Sequence, residues 1–240
     1  MRPAYPSIAF GENDYLIVWN DNRNGNQNQD IYGARVTPGG VVLDTNGIPI
    51  CRNPAYQCST VVAFDGTNYF VVWTDQRNGE YDIYGARVTP AGVVLDTAGI
   101  PVSTYPCDQA NPAVSFDGSN YLVTWQDLRG GIFRIYGARV TPQGVVLDTI
   151  GFPISPGLDS EGNPAVVFTG NFWFVVWQYL YEPLYELYDI YGARVTRDVT
   201  VLDPMGIKIS LAAYAQLWPN VEFDGKNYLV VWSDFRTGLF

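Results

Sequence analysis

A unit of about 52 residues recurs along the chain, and this repeat constrains the fold more than any other feature of the sequence. The tetrapeptide Tyr-Gly-Ala-Arg occurs four times, with successive copies 52, 52 and 55 residues apart. A Trp closes a hydrophobic run five times, at Trp19, Trp73, Trp125, Trp177 and Trp232. A fixed period of 20 to 50 residues or so is typical of solenoids, propellers and arrays.

Each unit reads as four short strands. In the second unit, Tyr69–Trp73 is apolar at every position, which predicts a strand buried on both faces. A tight Asp-Gly hairpin turn precedes it, the third strand covers 83–88, and the fourth runs from Val93 to Val102. No segment has helical periodicity. The sequence therefore predicts an all-β chain, a β-propeller of four-stranded antiparallel blades.

The number of blades follows from counting strands. The units cover about 6–59, 60–111, 112–163, 164–218 and, in part, 219–240, within one predicted propeller domain of residues 1–240. Four full sets and one extra pair of strands favour five blades with an incomplete last blade. The unpaired edge of Tyr228–Trp232 leaves a second possibility, self-association through the incomplete blade.

The unit also resembles the TolB-like propeller repeat and the related repeats of bacterial and archaeal surface proteins. The match is carried by the hairpin at 112–118 (PAVSFDG) and the strand entry at 77–84 (RNGEYDIY). Three units have Ala or Val where that pattern has Ser, and the fourth unit is degenerate. The resemblance implies a propeller scaffold and says little about a ligand.

Composition excludes several function classes. The net charge is −10 with only two Lys, so we expect neither nucleic-acid nor membrane binding. The absence of His excludes Ser-His-Asp and Cys-His catalysis and His-ligated zinc, and we expect no metal and no cofactor. Cys51 and Cys58 could form a local disulfide or remain free.

The location expected for the chain is extracellular, or at the cell surface, as a mature form or an excised piece of a larger protein. It opens without a recognisable signal peptide. No apolar run reaches the roughly 20 residues that a membrane helix needs.

Loop lengths point to one face of the propeller as the binding face. Only the loop between the second and third strands changes length between units, and loops free of scaffold duty commonly carry binding residues. The longest, 178–188, is rich in Tyr, which supplies rigid contact area and a hydroxyl. The predicted ligand-binding residues are Tyr179, Tyr181, Glu182, Tyr185, Glu186 and Tyr188, with Asn24 and Asn26 from the polar first loop.

Catalysis is disfavoured by the predicted innermost strands. Glycoside hydrolysis needs two carboxylates, whereas Glu222 is the only acid on these strands. The repeated Asp-x-Arg pairs are interpreted as structural staples, and the repeated Trp as filling between blades. We therefore expect a non-enzymatic module that presents loops to a protein or surface polymer. A lectin that binds a glycan on the same face is the first alternative, and a glycosidase-like propeller is the second.

Overall fold

The computed structural model of the chain describes residues 6–23, 25, 29–157, 159–182 and 187–236. These residues form eighteen β-strands in five sheets, which confirms the predicted all-β class. Within this part of the chain there is no helix long and apolar enough to span a membrane.

The strands form four complete blades and one two-stranded sheet. Blade 1 contains β1 (Ser7–Phe10), β2 (Tyr15–Asp21), β3 (Asp30–Val36) and β4 (Ile48–Cys51). Blade 2 contains β5 (Gln57–Phe64), β6 (Tyr69–Asp75), β7 (Asp82–Val88) and β8 (Ile100–Ser103). Blade 3 contains β9 (Gln109–Phe116), β10 (Tyr121–Asp127), β11 (Arg134–Val140) and β12 (Phe152–Pro153). Blade 4 contains β13 (Glu161–Phe168), β14 (Trp173–Glu182), β15 (Leu187–Val195) and β16 (Ile207–Ser210). Blade 5 contains β17 (Gln216–Phe223) and β18 (Tyr228–Asp234).

Every blade is an antiparallel meander in sequence order, as the repeat predicts. The fourth strand is shorter than expected. In blade 2 it covers only Ile100–Ser103, while Val94 makes a single bridge to Val88. The chain bends between these two points because Asp96 accepts hydrogen bonds from the backbone and guanidinium of Arg87.

Each blade is apolar on two faces and packs against both neighbours. We call the face toward the preceding blade the front face; in blade 2 it carries Tyr69, Val71 and Trp73, which pack on blade 1. The back face carries Phe70 and Val72, which pack on blade 3. All seven residues of β6 are buried, as expected for a strand covered on both sides.

A repeated polar staple closes the loop side of the blades, the side that holds the β2–β3 loop and its equivalents. In blade 2 the carboxylate of Asp75 accepts hydrogen bonds from Trp73 Nε1 at 2.8 Å and from Arg77 Nη2 at 2.6 Å. The Arg77 guanidinium also lies 4.0 Å from the ring centroid of Tyr84. The other staples join Asp21 to Arg23, Asp127 to Arg129 and Asp234 to Arg236.

The three cysteines, Cys51, Cys58 and Cys107, are all present as thiols outside any disulfide. Cys51 ends β4 at a position that Ser103 occupies in blade 2. Burial raises the pKa of its thiol to about 11, so the thiol stays protonated at neutral pH.

The interfaces between blades predict which Trp matters most for stability. Trp125 lies fully buried between blades 2 and 3, whereas Trp232 of blade 5 is only partly buried. Trp125→Ala should lower the free energy of unfolding by about 3–5 kcal/mol, and Trp232→Ala by clearly less, because little packing is lost there. Urea unfolding followed by circular dichroism measures both, and equal losses would contradict the assigned packing.

Candidate functional site

A central pocket lies where the first strands of blades 2 to 5 converge. Its volume is about 490 Å³. Each of these strands contributes residues from the same position, near its start on the loop side. The lining residues are Ser59, Thr60 and Val61, then Asn111 and Pro112, Asn163 and Pro164, and finally Trp218 and Pro219. The pocket is therefore the loop-side mouth of the propeller axis.

A bulge in each first strand shapes this pocket. Pairing of β9 with β10 shifts register between Ala110 and Ala113, and the intervening Asn111 has a φ of 52°. The equivalent residues Ser59, Asn163 and Trp218 have φ values of 53°, 49° and 53°. Bulges of this kind re-aim side chains next to functional sites. Here they give these four lining residues a left-handed backbone, a conformation that Asn tolerates and Trp rarely adopts.

Hydrogen bonds connect the lining residues into a chain. Ser59 Oγ donates to Asn111 Oδ1 at 3.1 Å, and Asn111 Nδ2 donates to Asn163 Oδ1 at 2.9 Å. Gln126 Oε1 accepts from Asn111 Nδ2 at 3.1 Å and from the Asn163 backbone amide at 3.2 Å. The amides are thus oriented by one another, which keeps the pocket polar and ordered.

Trp218 completes the lining with an aromatic surface. Its side chain is 51% exposed, while its backbone amide donates to Gln178 Oε1 at 3.2 Å. None of the described residues that line the pocket is charged. Amide, hydroxyl and indole groups without charge suit a neutral ligand rich in hydrogen-bonding groups.

A second distinctive region is a row of three side chains across blade 4. Glu161 of β13 lies opposite Tyr179 of β14, which in turn lies opposite Asp189 of β15. Directly opposed residues point to the same face of a sheet. Two strand spacings of about 4.8 Å each place the backbones of the two acids roughly 10 Å apart.

Blade 4 departs from the other blades along this row. The position of Glu161 is Gln57, Gln109 or Gln216 elsewhere, and the position of Tyr179 is the staple Asp. Without that Asp, the buried Nε1 of Trp177 has no hydrogen-bond partner among the described residues, and neither has Asp189 Oδ1. Blade 4 therefore has an unsatisfied indole N–H that the staple Asp satisfies in blades 2 and 3.

Burial raises the pKa of both acids in the row. The pKa of Glu161 is raised from its ordinary 4.5 to about 7, against the opposing effects of a hydrogen bond from Ser155 Oγ and the charge of Arg134. The pKa of Asp189 is raised to about 6 by burial, with Lys208 acting in the opposite direction. At neutral pH a substantial fraction of Glu161 is therefore protonated, while most of Asp189 is ionised.

Arg134 of blade 3 carries the opposite charge to Glu161 and lies near it. It begins β11, where the other complete blades have Asp30, Asp82 and Asp189. Its guanidinium lies over Gly157, where a Cβ would come within about 1.9 Å of Arg134 Nε. The backbone amide of Glu161 donates to Phe133 O beside it. Two substitutions of opposite charge thus adjoin at one blade interface.

The predicted loop 178–188 is mostly strand. β14 extends into it as far as Glu182 and β15 begins at Leu187, with Leu180 paired to Tyr188 and Glu182 to Leu187, because Tyr and other aromatic residues favour strands. The Tyr179 hydroxyl donates to Asp159 Oδ2 at 2.7 Å and its ring stacks on Tyr191. This side chain is therefore tied into the scaffold.

Of the remaining predicted site residues, some lie on strands and others lie outside the described part of the chain. Tyr181 is 40% exposed on β14, and Tyr188 is half-buried on β15. Asn24, Asn26, Tyr185 and Glu186 lie outside the described residues. Ligand binding by this set stays a prediction. The structure brings Tyr179 together with Glu161 and Asp189, which the sequence analysis did not select.

Sequence analysis also missed the central pocket. The signal available was the position two residues after each Gln or Glu, which changes from Ser59 to Asn111, Asn163 and Trp218, while the Gln before it and the Pro after it each recur in three of these four units. A residue that varies within a repeated frame marks a place where the scaffold does not fix the side chain. The bulge that turns this residue toward the axis has no comparable signature in the sequence.

Comparisons with solved structures identify proteins that share the fold of this chain. No protein-family model and no curated protein matches the chain in sequence. An endo-arabinase from Bacteroides thetaiotaomicron is similar over 97% of this chain and 89% of its own, at 13% identity and a TM-score of 0.59.

Two further solved structures are similar in fold to this chain. A thermostable family-43 glycoside hydrolase is similar over 95% of this chain and 82% of its own, at 15% identity and a TM-score of 0.58. An N-acetylgalactosamine deacetylase from F. plautii, solved with a blood group B trisaccharide, covers 91% and 74% at 9% identity and a TM-score of 0.58. At these identities the likeness establishes the fold.

These findings correct the predicted function. The expected non-enzymatic module for binding a protein or surface polymer is wrong, because the structures that share this fold are glycoside hydrolases and a deacetylase. The error came from overlooking Glu161 when the acids on the innermost strands were counted. Glu222, the acid singled out there, lies exposed on β17, whereas Glu161 begins the innermost strand of blade 4.

The raised pKa of Glu161 makes stability depend on pH. The folded state holds this proton more tightly than the unfolded chain, so the stability it contributes is complete below about pH 4.5 and is lost as the pH rises through about 7. Glu161→Gln restores the residue of the other blades and removes the titration. The stability of the native chain relative to this variant should fall by on the order of 3 kcal/mol across that window.

Urea unfolding of both proteins at several pH values measures this difference. All other titrating groups are shared, so their contributions cancel in the comparison. A difference that stays constant from about pH 5 to about pH 8 would contradict the buried, protonated state of Glu161.

Proposed function

We propose that the chain is a carbohydrate-active propeller of the glycoside hydrolase type, which holds a segment of a neutral polysaccharide in the central pocket. The observation that carries this proposal is the uncharged lining of Asn111, Asn163, Ser59 and half-exposed Trp218 on the propeller axis. The shared fold of an endo-arabinase and a family-43 glycoside hydrolase supports it.

The lining matches the chemistry of a sugar. Each hydroxyl of a saccharide is both a donor and an acceptor, and the side-chain amides of Asn111 and Asn163 offer both functions in fixed orientation. The indole of Trp218 offers an apolar face for the C–H surface of a sugar ring. A charged ligand would find no counter-charge among the described lining residues.

Hydrolysis requires a protonated carboxylic acid and an ionised partner. Glu161 and Asp189 are the candidates, because their pKa values of about 7 and about 6 favour these two states near neutral pH. Glu161 is two residues before Asn163 on the same innermost strand. Both acids are buried, so a substrate reaches them only when the contacts of Tyr179 with Asp159 and of Glu161 with Ser155 open. Contacts of this kind can rearrange on substrate binding.

Saccharide binding in the pocket predicts a strong effect of Trp218. Trp218→Ala should weaken binding of arabinan oligosaccharides at least about tenfold, equivalent to about 1.4 kcal/mol, because the stacking surface is lost. Tyr214→Ala, which removes a similarly exposed aromatic side chain outside the pocket, is the matched control. Isothermal titration calorimetry measures both. Equal affinities of the two variants would rule out Trp218 as a stacking surface.

Catalysis by Glu161 predicts loss of turnover without loss of fold. Release of reducing ends from arabinan, and from a panel of other neutral polysaccharides, should fall at least about 100-fold in Glu161→Gln, since removal of a general acid costs about 10²–10⁴. Glu222→Gln should leave the rate unchanged. If turnover is instead lost in Glu222→Gln and kept in Glu161→Gln, the assignment of the acid is wrong. If the native chain cleaves none of the panel, the glycosidase proposal fails.

A further inference from the structure

Two blade faces remain exposed although their counterparts elsewhere in the chain are buried. On the front face of blade 1, Ile8 and Phe10 are 57% and 53% exposed, whereas Val62 at the first of these positions in blade 2 is 7% exposed. On the back face of blade 5, Leu229 and Val231 are 64% and 51% exposed. In blade 2, Phe70 takes the position of Leu229 and Val72 that of Val231, and both are fully buried. Since more than half of each side chain is open, the two faces do not cover one another.

The two exposed faces are complementary by construction. A front face packs on the back face of the preceding blade, and the chain builds this contact four times, between blades 1 and 2, 2 and 3, 3 and 4, and 4 and 5. On the first two strands, the front face of blade 1 is apolar like the buried front faces, and Leu229 and Val231 make the back face of blade 5 apolar like the buried back faces. The buried back face of blade 2 also includes Ile83 and Val102 from its third and fourth strands, so the exposed pair reproduces the part of this interface that the first two strands form.

We propose that a second copy of this chain covers these faces, with the back face of blade 5 in one copy packed on the front face of blade 1 in the other. The contact continues the blade-to-blade interface that the chain already forms. It joins two different surfaces, so it is heterologous: it closes into a ring when the contact is made twice, and otherwise propagates into longer chains. Large exposed apolar patches of this kind mark protein interaction sites.

One residue opposes the contact and provides a graded test. Glu222 lies on the back face of blade 5, at a position where the four other blades have Ala9, Ala63, Ser115 and Val167. Covering this face would remove a carboxylate from water, which is unfavourable without a partner. Glu222→Ala should therefore tighten the association, by about tenfold or more in the dissociation constant.

The test is sedimentation velocity of the full chain over a range of concentrations. The native chain should sediment as a dimer or a longer assembly that dissociates on dilution. Ile8→Asp spoils only the front face of blade 1, and Val231→Asp spoils only the back face of blade 5, so each variant alone should be a monomer. Their mixture should form a dimer of one copy of each, because one intact front face then meets one intact back face.

Three outcomes overturn the proposal. The first is that the native chain sediments as a monomer at every concentration, and the second is that a single variant remains a dimer, which would indicate contact between two identical faces. The third is that the mixture of variants fails to associate while both variants keep the native circular dichroism spectrum. None of these readouts depends on a saccharide, so the result is independent of the proposed activity.

Discussion

Burial of both faces of every blade is the constraint on which the rest of the structure depends. A strand such as Tyr69–Asp75 has no polar face to offer water, so it is stable only between two neighbours. Repetition solves this problem for blades 2, 3 and 4. The same requirement directs the bulged starts of the first strands toward a shared axis, and it makes the exposed front face of blade 1 and the exposed back face of blade 5 exceptions among the blade faces.

Polar staples make this apolar architecture specific. One carboxylate, Asp75 in blade 2, receives both an indole N–H and a guanidinium, so the buried Trp73 and the loop that follows it are fixed together. The Asp75 carboxylate is shielded from water, so its charge-assisted hydrogen bonds are stronger than they would be on an open surface. Blade 4 has Tyr179 in place of this Asp, and there the acids Glu161 and Asp189 retain raised pKa values. Loss of the staple and gain of unusual acid chemistry coincide in one blade.

The sequence was sufficient to predict the propeller and insufficient to predict its site. The strands, the hairpins and the buried Trp follow from a period of about 52 residues and from patterns of two apolar faces. The central pocket depends on a bulge at Asn111 and its equivalents, where pairing with a distant strand decides the direction of the side chain. The raised pKa of Glu161 depends on burial by the neighbouring blade. Both properties depend on contacts between residues far apart in the sequence, so the local sequence pattern does not predict them. The aromatic and apolar residues at 179–181 favour a strand, but the sequence analysis interpreted these tyrosines as part of a loop.

The adjoining pair of Arg134 and Glu161 has a consequence for the history of the repeat. Tandem units of nearly identical sequence are prone to unequal recombination, which deletes or duplicates one unit at a time. Most such exchanges would join faces that fit equally well. An exchange that separated Arg134 from Glu161 would instead leave Arg134 beside the Gln, or Glu161 beside the Asp, of an ordinary unit, so that neither keeps its oppositely charged neighbour. These two residues therefore favour recombination products in which units three and four stay adjacent.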